Sequence, residues 1–149
     1  MAVLRDRPYG NFNFLVDFGS GPEGLEAGFS EVLMPEASVD VIEYRNGNDK
    51  ESGARKIPGR VHYGNVILKR GVIGSLNLYQ WFNQIRDGDA NGYRTVLVHL
   101  QNEDRTQIVM TWKLLRAWPA RYKSPDLNGK GQDVAMEELE LAYERLDVE

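Results

Sequence analysis

The stretch NVILKRGVIGSLNLYQWFNQI, from Asn65 to Ile85, joins an apolar segment to an amphipathic one through Lys69-Arg70-Gly71. Apolar residues recur in its second half at helical spacing, namely Leu78, Trp81, Phe82 and Ile85. The pattern predicts a helix, with Ser75 placed to cap its start and Gly88 placed to end it. Three explanations compete for the basic junction in front of that helix: a phosphate cradle, a solvated turn, or a contact with another copy of the chain. The strand-to-helix turn at a subunit contact is the favoured interpretation.

Alternating or apolar runs predict β-strands over much of the remaining chain. The predicted strands are residues 12–18, Leu25 to Val32 after a turn at residues 19–24, the alternating pair Val39 and Val41, Val61 to Leu68, Arg94 to Gln101, and Thr106 to Trp118. The last two strands are joined by a short turn at residues 102–105 and form a predicted hairpin. The fold class is therefore mainly β with one clear helix, in a single domain of 149 residues.

Two segments lack a clear strand pattern: one reads as a long loop, and the other fits both a helix and a strand. Residues 45–60, RNGNDKESGARKIPGR, are rich in Gly, Asn and Ser, which predicts an extended loop. Loops of this length inside a compact domain are usually functional or disordered. The C-terminal run QDVAMEELELAYERL fits a helical stripe through Met136, Leu139, Tyr143 and Leu146, but also an alternating strand through Leu139, Leu141 and Tyr143. Its many helix-forming residues slightly favour a helix.

Composition places the chain among ordinary soluble globular proteins, with 42% hydrophobic and 27% charged residues. No apolar run approaches the ~18 residues of a membrane span. The N-terminal MAVLRDRPYG has no apolar core of signal-peptide length, so export by a general secretory route is not expected. With no cysteine, the chain has no disulfide, thiolate metal site or cysteine nucleophile.

The net charge of −4 hides two blocks of opposite sign. Arg45 to Arg70 contains seven basic and two acidic residues, a net charge of +5. Gln132 to Glu149 contains seven acidic residues and one basic residue, a net charge of −6. Such blocks can pair within a subunit or between subunits, or they can form two unrelated solvated faces.

Two sequence patterns imitate ligand sites but are incomplete. Gly19-x-Gly21-x-x-Gly24 has the spelling of a dinucleotide fingerprint, yet Pro22 lies inside it, and Gly28 and Pro35 interrupt the helix that must follow. Asp87 to Gly92 has the spelling of the first half of a calcium loop, but the twelfth position, which requires Glu, is Val98. A plain turn is the expected structure in both places.

No catalytic set assembles from the remaining polar residues. The two histidines, His62 and His99, fall in predicted strands, and neither has a serine in a nucleophile-elbow context. Neighbouring carboxylates such as Glu137-Glu138 and Glu103-Asp104 lie on surface-like segments. We therefore predict no catalytic, cofactor-binding or metal-binding residues, no cofactor, and no enzymatic activity.

A soluble, monomeric β-barrel that binds nucleic acid or carbohydrate is the alternative interpretation. Its surface would use Tyr44, Arg45, Lys56 and Tyr63, which combine positive charge with aromatic rings. The acidic net charge argues against nucleic acid, because phosphate binding normally accompanies a basic domain.

Three motifs and a closing run carry a resemblance to a known family. They are Tyr44-Arg45-x-Gly47, Lys56-x-Pro58-Gly59, Asn65-Val-Ile-Leu-Lys-Arg-Gly71, and YKSPDLNGKGQDVAMEELELAYERL from Tyr122 to Leu146, with Trp81 in the helix between. In these residues the chain resembles the inner tube (tail tube) proteins of contractile phage tails and of phage-tail-like contractile injection systems. The resemblance spans nearly the whole chain, and the LKRG run combined with the Glu-x-Leu-Glu-Leu-Ala pattern is its specific part.

The resemblance implies a fold: a compact barrel of two packed antiparallel sheets with one flanking α-helix, similar to the haemolysin-coregulated protein of type VI secretion. Residues 1–149 would form a single tail-tube domain. In this family fold the C-terminal run is a strand and not a helix. The long segment at about residues 45–60 becomes an arm that reaches a neighbouring subunit.

The resemblance also implies partners. Such subunits form hexameric rings that stack into a rigid hollow tube, which a contracting sheath drives through a target envelope. The implied partners are further copies of the chain, the sheath protein, baseplate or tube-initiator proteins, a tube-terminating cap, and cargo in the lumen, either effector protein or phage DNA. Assembly would occur in the bacterial cytoplasm, without a transmembrane segment. The final location would be a phage tail or a cytoplasmic, membrane-anchored or released injection particle.

The two charge blocks suggest where subunits meet. We expect the basic block to contact acidic surface, including the C-terminal block, on a neighbouring copy, with charge setting orientation more than affinity. The predicted contact residues are Tyr44, Arg45, Arg55, Lys56, Pro58, Arg60, Tyr63, Lys69, Arg70, Glu137, Glu138 and Glu140.

Overall fold

The computed structural model describes residues 1–19 and 28–149. Most of the predicted glycine-rich turn at 19–24, with its dinucleotide-like spelling, therefore lies outside the described residues, as does the beginning of the strand predicted from Leu25. Nine strands and one α-helix are described: β1 (Phe14–Asp17), β2 (Glu31–Leu33), β3 (Ala37–Tyr44), β4 (Arg55–Tyr63), β5 (Val66–Gly71), α1 (Asn77–Arg86), β6 (Arg94–Gln101), β7 (Ile108–Lys123), β8 (Met136–Ala142) and β9 (Arg145–Val148). A short 3₁₀ helix, Ala90–Gly92, lies between α1 and β6.

Seven of these strands form one bent, antiparallel sheet in the order β1-β6-β7-β8-β5-β2, with β9 paired to β7. The long strand β7 connects the two halves, because its first part pairs with β6 and β9 and its last part pairs with β8. The junction carries a register shift and a positive φ of 54° at Arg116. An extra residue in one strand bends it locally, so β7 can serve both halves.

One hydrophobic core lies between the two halves of this sheet and α1. Its buried members are Val16, Phe18, Phe29, Val66, Leu68, Leu78, Trp81, Val96, Leu114, Ala117, Leu139 and Leu141. Because both halves and the helix contribute to one cluster, the sheet encloses its core on two sides. Trp81 is fixed within it, since its indole Nε1 donates to the Gly92 carbonyl at 2.6 Å and its ring lies 5.2 Å from Phe18.

The helix and the central hairpin confirm the sequence prediction. Leu78 and Trp81 on the predicted apolar face of α1 are buried. Gly88 follows the helix with a φ of +80°, a conformation that glycine adopts without strain. Ser75 does not cap the helix, since its hydroxyl donates to Asn77 Oδ1 and the residue at the N-cap position is Leu76, which makes no side-chain cap hydrogen bond. The β6–β7 hairpin forms as predicted, but β7 continues past Trp118 to Lys123.

Three other predictions need correction. The strand predicted over Val61 to Leu68 is two strands, β4 and β5, separated at residues 64–65. The loop predicted over 45–60 is a loop only to residue 54, and the rest belongs to β4. The C-terminal run is strand rather than helix, as the family resemblance implied. Its alternate residues Glu137, Leu139 and Leu141 are buried against the core, and packing of this kind overrides helix propensity.

Candidate assembly surface

Strands β3 and β4 form a two-stranded hairpin apart from the main sheet. Every residue of β3 is exposed, and in β4 only Gly59 and Tyr63 are half-buried. An isolated two-stranded hairpin is at best marginally stable in water, because it buries too little apolar surface. The hairpin is therefore a candidate for burial against another molecule.

Each face of the hairpin carries exposed apolar side chains. Since side chains alternate across a strand, the aligned pairs Val39–Val61 and Val41–Pro58 share one face, here named the valine face. The three valines of this face are between 49% and 64% exposed. The opposite face, here named the isoleucine face, carries the Ile42–Ile57 pair and an Asp40–His62 contact of 2.8 Å.

A bulge explains how proline and glycine fit within β4. Between the Val39–Val61 and Val41–Pro58 pairs, β4 has one more residue than β3. Proline in a sheet is confined to edges and bulges, and Pro58 lies beside this one. A Cβ on Gly59 would lie 3.0 Å from Ile42 Cγ1 and 3.1 Å from Asp40 Cβ, so a larger residue would crowd the opposite strand. The residues that resemble a loop thus form a bulged strand.

The loop at the tip of the hairpin is braced by its own residues. Arg45 donates from Nε to the Glu51 carbonyl at 3.1 Å and from Nη2 to the Asp49 carbonyl at 3.3 Å. The Asp49 carboxylate accepts from the Asn46 backbone N–H at 2.9 Å and lies 3.8 Å from Arg55. Tyr44 also contacts Asn46 by hydrogen bond. Arg45 therefore shapes the loop within its own subunit.

Lys56 and Arg60 differ from Arg45. Both are exposed on β4, and among the described residues neither has an ion-pair partner. At the base of the hairpin, the ring of Tyr63 lies 5.9 Å from that of Tyr143. Burial, with a smaller contribution from Tyr63, raises the pKa of Tyr143 to about 12. Tyr63 thus anchors the hairpin to the main sheet.

The remaining predicted contact residues lie together on β5 and β8, within one subunit. The register aligns Lys69 with Glu138 and Arg70 with Glu137. Arg70 and Glu137 are only 3% and 4% exposed, and Arg70 Nε lies 2.5 Å from Glu137 Oε1. Pairing of β5 with β8 thus buries Arg70 and Glu137 against each other within one subunit, and their contact with a neighbouring copy stays a prediction.

Two further side chains complete this buried pair, and residue-level reasoning missed both. Tyr122 donates its hydroxyl to Glu137 Oε2 at 2.8 Å. Arg70 Nη2 donates to Asn77 Oδ1 at 2.7 Å, at the first residue of α1. Burial raises the pKa of Tyr122, and its hydrogen bond to the Glu137 carboxylate raises it further. The network joins β5, β7, β8 and the start of α1, which explains the positive charge of Arg70 in the opening stretch.

Around this buried pair, the other charges form partly exposed contacts. Lys69 Nζ lies 3.7 Å from Glu138 and 3.8 Å from Glu31. Arg121 lies 3.2 Å from Glu138 and 3.7 Å from Glu140. The Lys69-Arg70-Gly71 run itself belongs to β5 and is not a turn.

The segment that imitates a calcium loop forms ordinary local structure. The Asp87 to Gly92 segment ends α1 and begins the 3₁₀ helix, as the turn interpretation predicted. Asp89 accepts from the Asn91 backbone N–H at 2.9 Å, and this bond, followed by one from Gln84, lowers the Asp89 pKa. Over residues 1–19 and 28–149 no group of three potential metal ligands occurs.

The two histidines lie in strands as predicted and have separate partners. His62 contacts Asp40, whereas His99 Nδ1 lies 2.8 Å from Thr111 Oγ1. Burial lowers the pKa of His99, and the charge of Asp17 opposes this effect. Within the part of the chain that is described, no helix is long and apolar enough to cross a membrane.

Comparison with protein families identifies the chain. The family model described as T4-like virus tail tube protein gp19 matches residues 10–147. The chain belongs to this tail tube protein family. Comparison with curated protein sequences gives no significant match.

Solved structures agree with the tail tube assignment. A chain from the PVC sheath–tube complex, an extracellular contractile injection system in its extended state, is 28% identical with a TM-score of 0.84, over 97% of this chain and 93% of that one. A chain from the baseplate of the anti-feeding prophage (AFP), 6-fold symmetrised, is 25% identical with a TM-score of 0.83, over 97% of both chains. Hcp1 from Flavobacterium johnsoniae shares the fold alone, at 13% identity and a TM-score of 0.54, over 91% of this chain and 93% of that one.

These comparisons confirm the predicted fold class, a mainly β protein similar to the haemolysin-coregulated proteins. They also confirm the tail tube interpretation. The alternative of a monomeric module that binds nucleic acid or carbohydrate has no support from them.

Proposed function

We propose that this chain is the structural subunit of the hollow inner tube of a contractile injection system, and that it assembles as stacked hexameric rings. The observation that carries the proposal is the β3–β4 hairpin, whose two apolar faces are both exposed in the single chain. Membership of the tail tube family supplies the context in which copies of the same chain cover these faces.

Ring formation explains the open edges of the main sheet. The sheet begins at β1 and ends at β2, and among the described residues each of these strands has a neighbouring strand on one side only. Unpaired strand edges are aggregation hazards unless they are covered. A cyclic ring covers them through a heterologous contact, in which a projecting element of each copy meets a different surface on the next. The hairpin is such an element.

The proposed partners follow from the similar structures. Those at 25–28% identity include a sheath–tube complex, a sheath/tube terminator and a baseplate. In our proposal a sheath surrounds the tube, a baseplate nucleates it, a cap ends it, and effector protein passes through the lumen. A phage tail carrying DNA is the second setting, consistent with the family description. The role is structural and not catalytic, and assembly takes place in the bacterial cytoplasm.

The predicted contact set is revised accordingly. The residues retained as inter-subunit contacts are Tyr44, Arg55, Lys56, Pro58 and Arg60 on the hairpin, and Lys69, Glu138 and Glu140 on the partly exposed charged surface. Arg45, Tyr63, Arg70 and Glu137 make the contacts within the subunit that are described above.

Disrupting the valine face tests the proposed function. Val41→Asp combined with Val61→Asp should abolish ring formation in size-exclusion chromatography and negative-stain microscopy, because buried unpaired carboxylates are costly. Val41→Ile combined with Val61→Ile keeps the face apolar and β-branched, and this matched variant should still form rings. Rings of equal yield from both variants would show that the valine face is not a subunit contact, whereas an unmodified chain that forms no rings would contradict the proposed function.

A further inference from the structure

An apolar groove lies between β1 and β2, the two strands that end the described main sheet. Its volume is ≈ 740 Å³, and Phe12, Phe14, Leu33, Met34, Leu100 and Trp112 are among the residues that line it. Phe12 is 68% exposed, and Leu33 and Met34 are 40% and 38% exposed. Glu31 is the one carboxylate residue among the lining residues described. The described part of the subunit therefore exposes an apolar groove as well as an apolar hairpin.

We propose that this groove receives the valine face of the hairpin of a neighbouring copy, with Lys56 of the hairpin beside Glu31 of the groove. The inference rests on the proposed function and specifies which two surfaces meet. In the single chain, the hairpin strands pair with each other and not with β1 or β2. The hairpin of a second copy can cover the groove.

The distribution of charge decides which face of the hairpin enters. On the valine face, Val39, Val41, Pro58 and Val61 are uncharged, and charge begins only at the aligned Glu43–Lys56 pair toward the tip. On the isoleucine face, the Asp40–His62 contact interrupts the apolar surface. Burying such polar groups costs more than burying valines. The valine face therefore suits an apolar groove.

One charged contact sets the direction of the hairpin in the groove. Lys56 has no ion-pair partner among the described residues, and Glu31, with its side chain 53% exposed, has only the distant Lys69 contact at 3.8 Å. Placing Lys56 near Glu31 leaves the valines over the apolar lining. A charge pair at a rim contributes more to orientation than to affinity.

Cross-linking between single-cysteine variants tests which face of the hairpin enters the groove of the neighbouring copy. The chain has no cysteine, so each introduced thiol is unique in its subunit. Met34→Cys in the groove is mixed with either Val41→Cys or Ile42→Cys, adjacent residues on opposite faces, during ring assembly. The two partners carry tags of different length, which identifies a disulfide between different variants. Disulfides require Cα atoms within about 7 Å.

We expect a mixed disulfide with Val41→Cys and little with Ile42→Cys. The inference would be overturned if intact rings gave equal yields of mixed disulfide with Val41→Cys and Ile42→Cys, or no mixed disulfide with either. Both outcomes would leave the proposed function in place. If the unmodified chain forms no rings at all, both fail. Each variant oxidised alone measures the background of disulfides between identical variants.

Charge reversal provides an independent measurement that does not depend on the cysteine variants. Lys56→Glu alone and Glu31→Lys alone should each raise the concentration needed for half-maximal ring formation about fivefold, as expected for a partly exposed pair. The double variant should recover most of that loss. Glu31→Lys combined with Lys50→Glu in the tip loop is the matched control and should show no recovery. Equal recovery by both combinations would overturn the pairing of Lys56 with Glu31.

Discussion

Arg70 and Glu137 face each other across β5 and β8 and form an ion pair inside the subunit, with Nε 2.5 Å from Oε1. Both are nearly fully buried within the single chain, at 3% and 4% exposure. Tyr122 and Asn77 occupy further hydrogen-bonding positions of this pair. The pair therefore holds the start of α1 against the sheet.

Replacing only one member of this ion pair should destabilise the fold far more than replacing both members. Arg70→Met leaves the Glu137 carboxylate buried without its cation and should lower the free energy of unfolding by about 3–5 kcal/mol. Arg70→Met with Glu137→Leu removes both charges, so a smaller loss is expected. Chemical denaturation at one fixed protein concentration measures both. A double variant as unstable as the single one would argue against an uncompensated charge as the cause.

The bend in β7 depends on the backbone at Arg116. Its φ is 54°, and its ion pair with Glu144 is mostly exposed, with side chains 57% and 69% accessible. Exposed pairs contribute about 0–1 kcal/mol. We therefore expect Arg116→Gly to stay within about 1 kcal/mol of the parent, because glycine accepts this φ, whereas Arg116→Val should be clearly destabilising.

Position 121 on the same strand provides the control for the bend. Arg121 belongs to the second half of β7 and is not among the positive-φ residues. There the order should reverse, with Val tolerated better than Gly, since β-branched residues favour strands. The midpoint temperatures of thermal unfolding, measured for the Gly and Val variants at positions 116 and 121, would show the two opposite orders. If Val is tolerated better at both positions, the bend does not depend on the left-handed conformation.

Acid should release the N-terminal segment before the core unfolds. The Arg5 guanidinium, which hydrogen-bonds Glu103, lowers the Glu103 pKa from 4.5 to about 2. Since the folded pKa lies below the unfolded one, the contribution of this pair to stability is present above pH 4.5 and is lost as pH falls toward 2. Glu103→Gln should flatten the stability profile in that window. Hydrogen exchange of the Val3 amide, which donates to the Val109 carbonyl at 2.8 Å, reports the release.

At alkaline pH, ionisation of Tyr143 should lower the stability of the fold. Its pKa is raised by burial from 10.0 to about 12, so stability from the neutral phenol is present below pH 10 and is lost as pH rises toward 12. The Tyr143 hydroxyl is buried and has no hydrogen-bond partner among the described residues. Tyr143→Phe should therefore be neutral or slightly stabilising at pH 7 and less sensitive to alkali. A loss of more than about 1 kcal/mol at pH 7 would indicate a partner for this hydroxyl.

Periodicity in the sequence predicted those elements that bury a regular apolar face. The helix from residue 77 and the β6–β7 hairpin bury such faces, and both lie close to their predicted bounds. The apolar residues of the C-terminal run fit both the helical period and the alternation of a strand, so residue type could not decide between helix and strand. Pairing of β8 with β5 and β7 decides for the strand, and only the family resemblance indicated this in advance.

The candidate assembly surface was only half predictable, for a physical reason. Val39 and Val41 alternate in the sequence, but their partner strand contains Pro58, Gly59 and several basic residues, which are typical of a loop. A bulged, exposed strand accepts these residues because it buries little within its own subunit. The two charge blocks were compatible with contacts within a subunit, with contacts between subunits and with two unrelated faces, and sequence could not distinguish these alternatives. The β5–β8 register shows one contact within the subunit, between Arg70 and Glu137.

Sedimentation equilibrium of the purified, unmodified chain across a range of concentrations tests the central claim most directly. The account predicts a species with six times the mass of one chain, because covering every hairpin and every open sheet edge requires a closed ring of copies. Ring-shaped particles with a central pore in the same sample would agree with it. A species with the mass of a single chain at every concentration and at low salt would contradict the assignment as a ring-forming tube subunit.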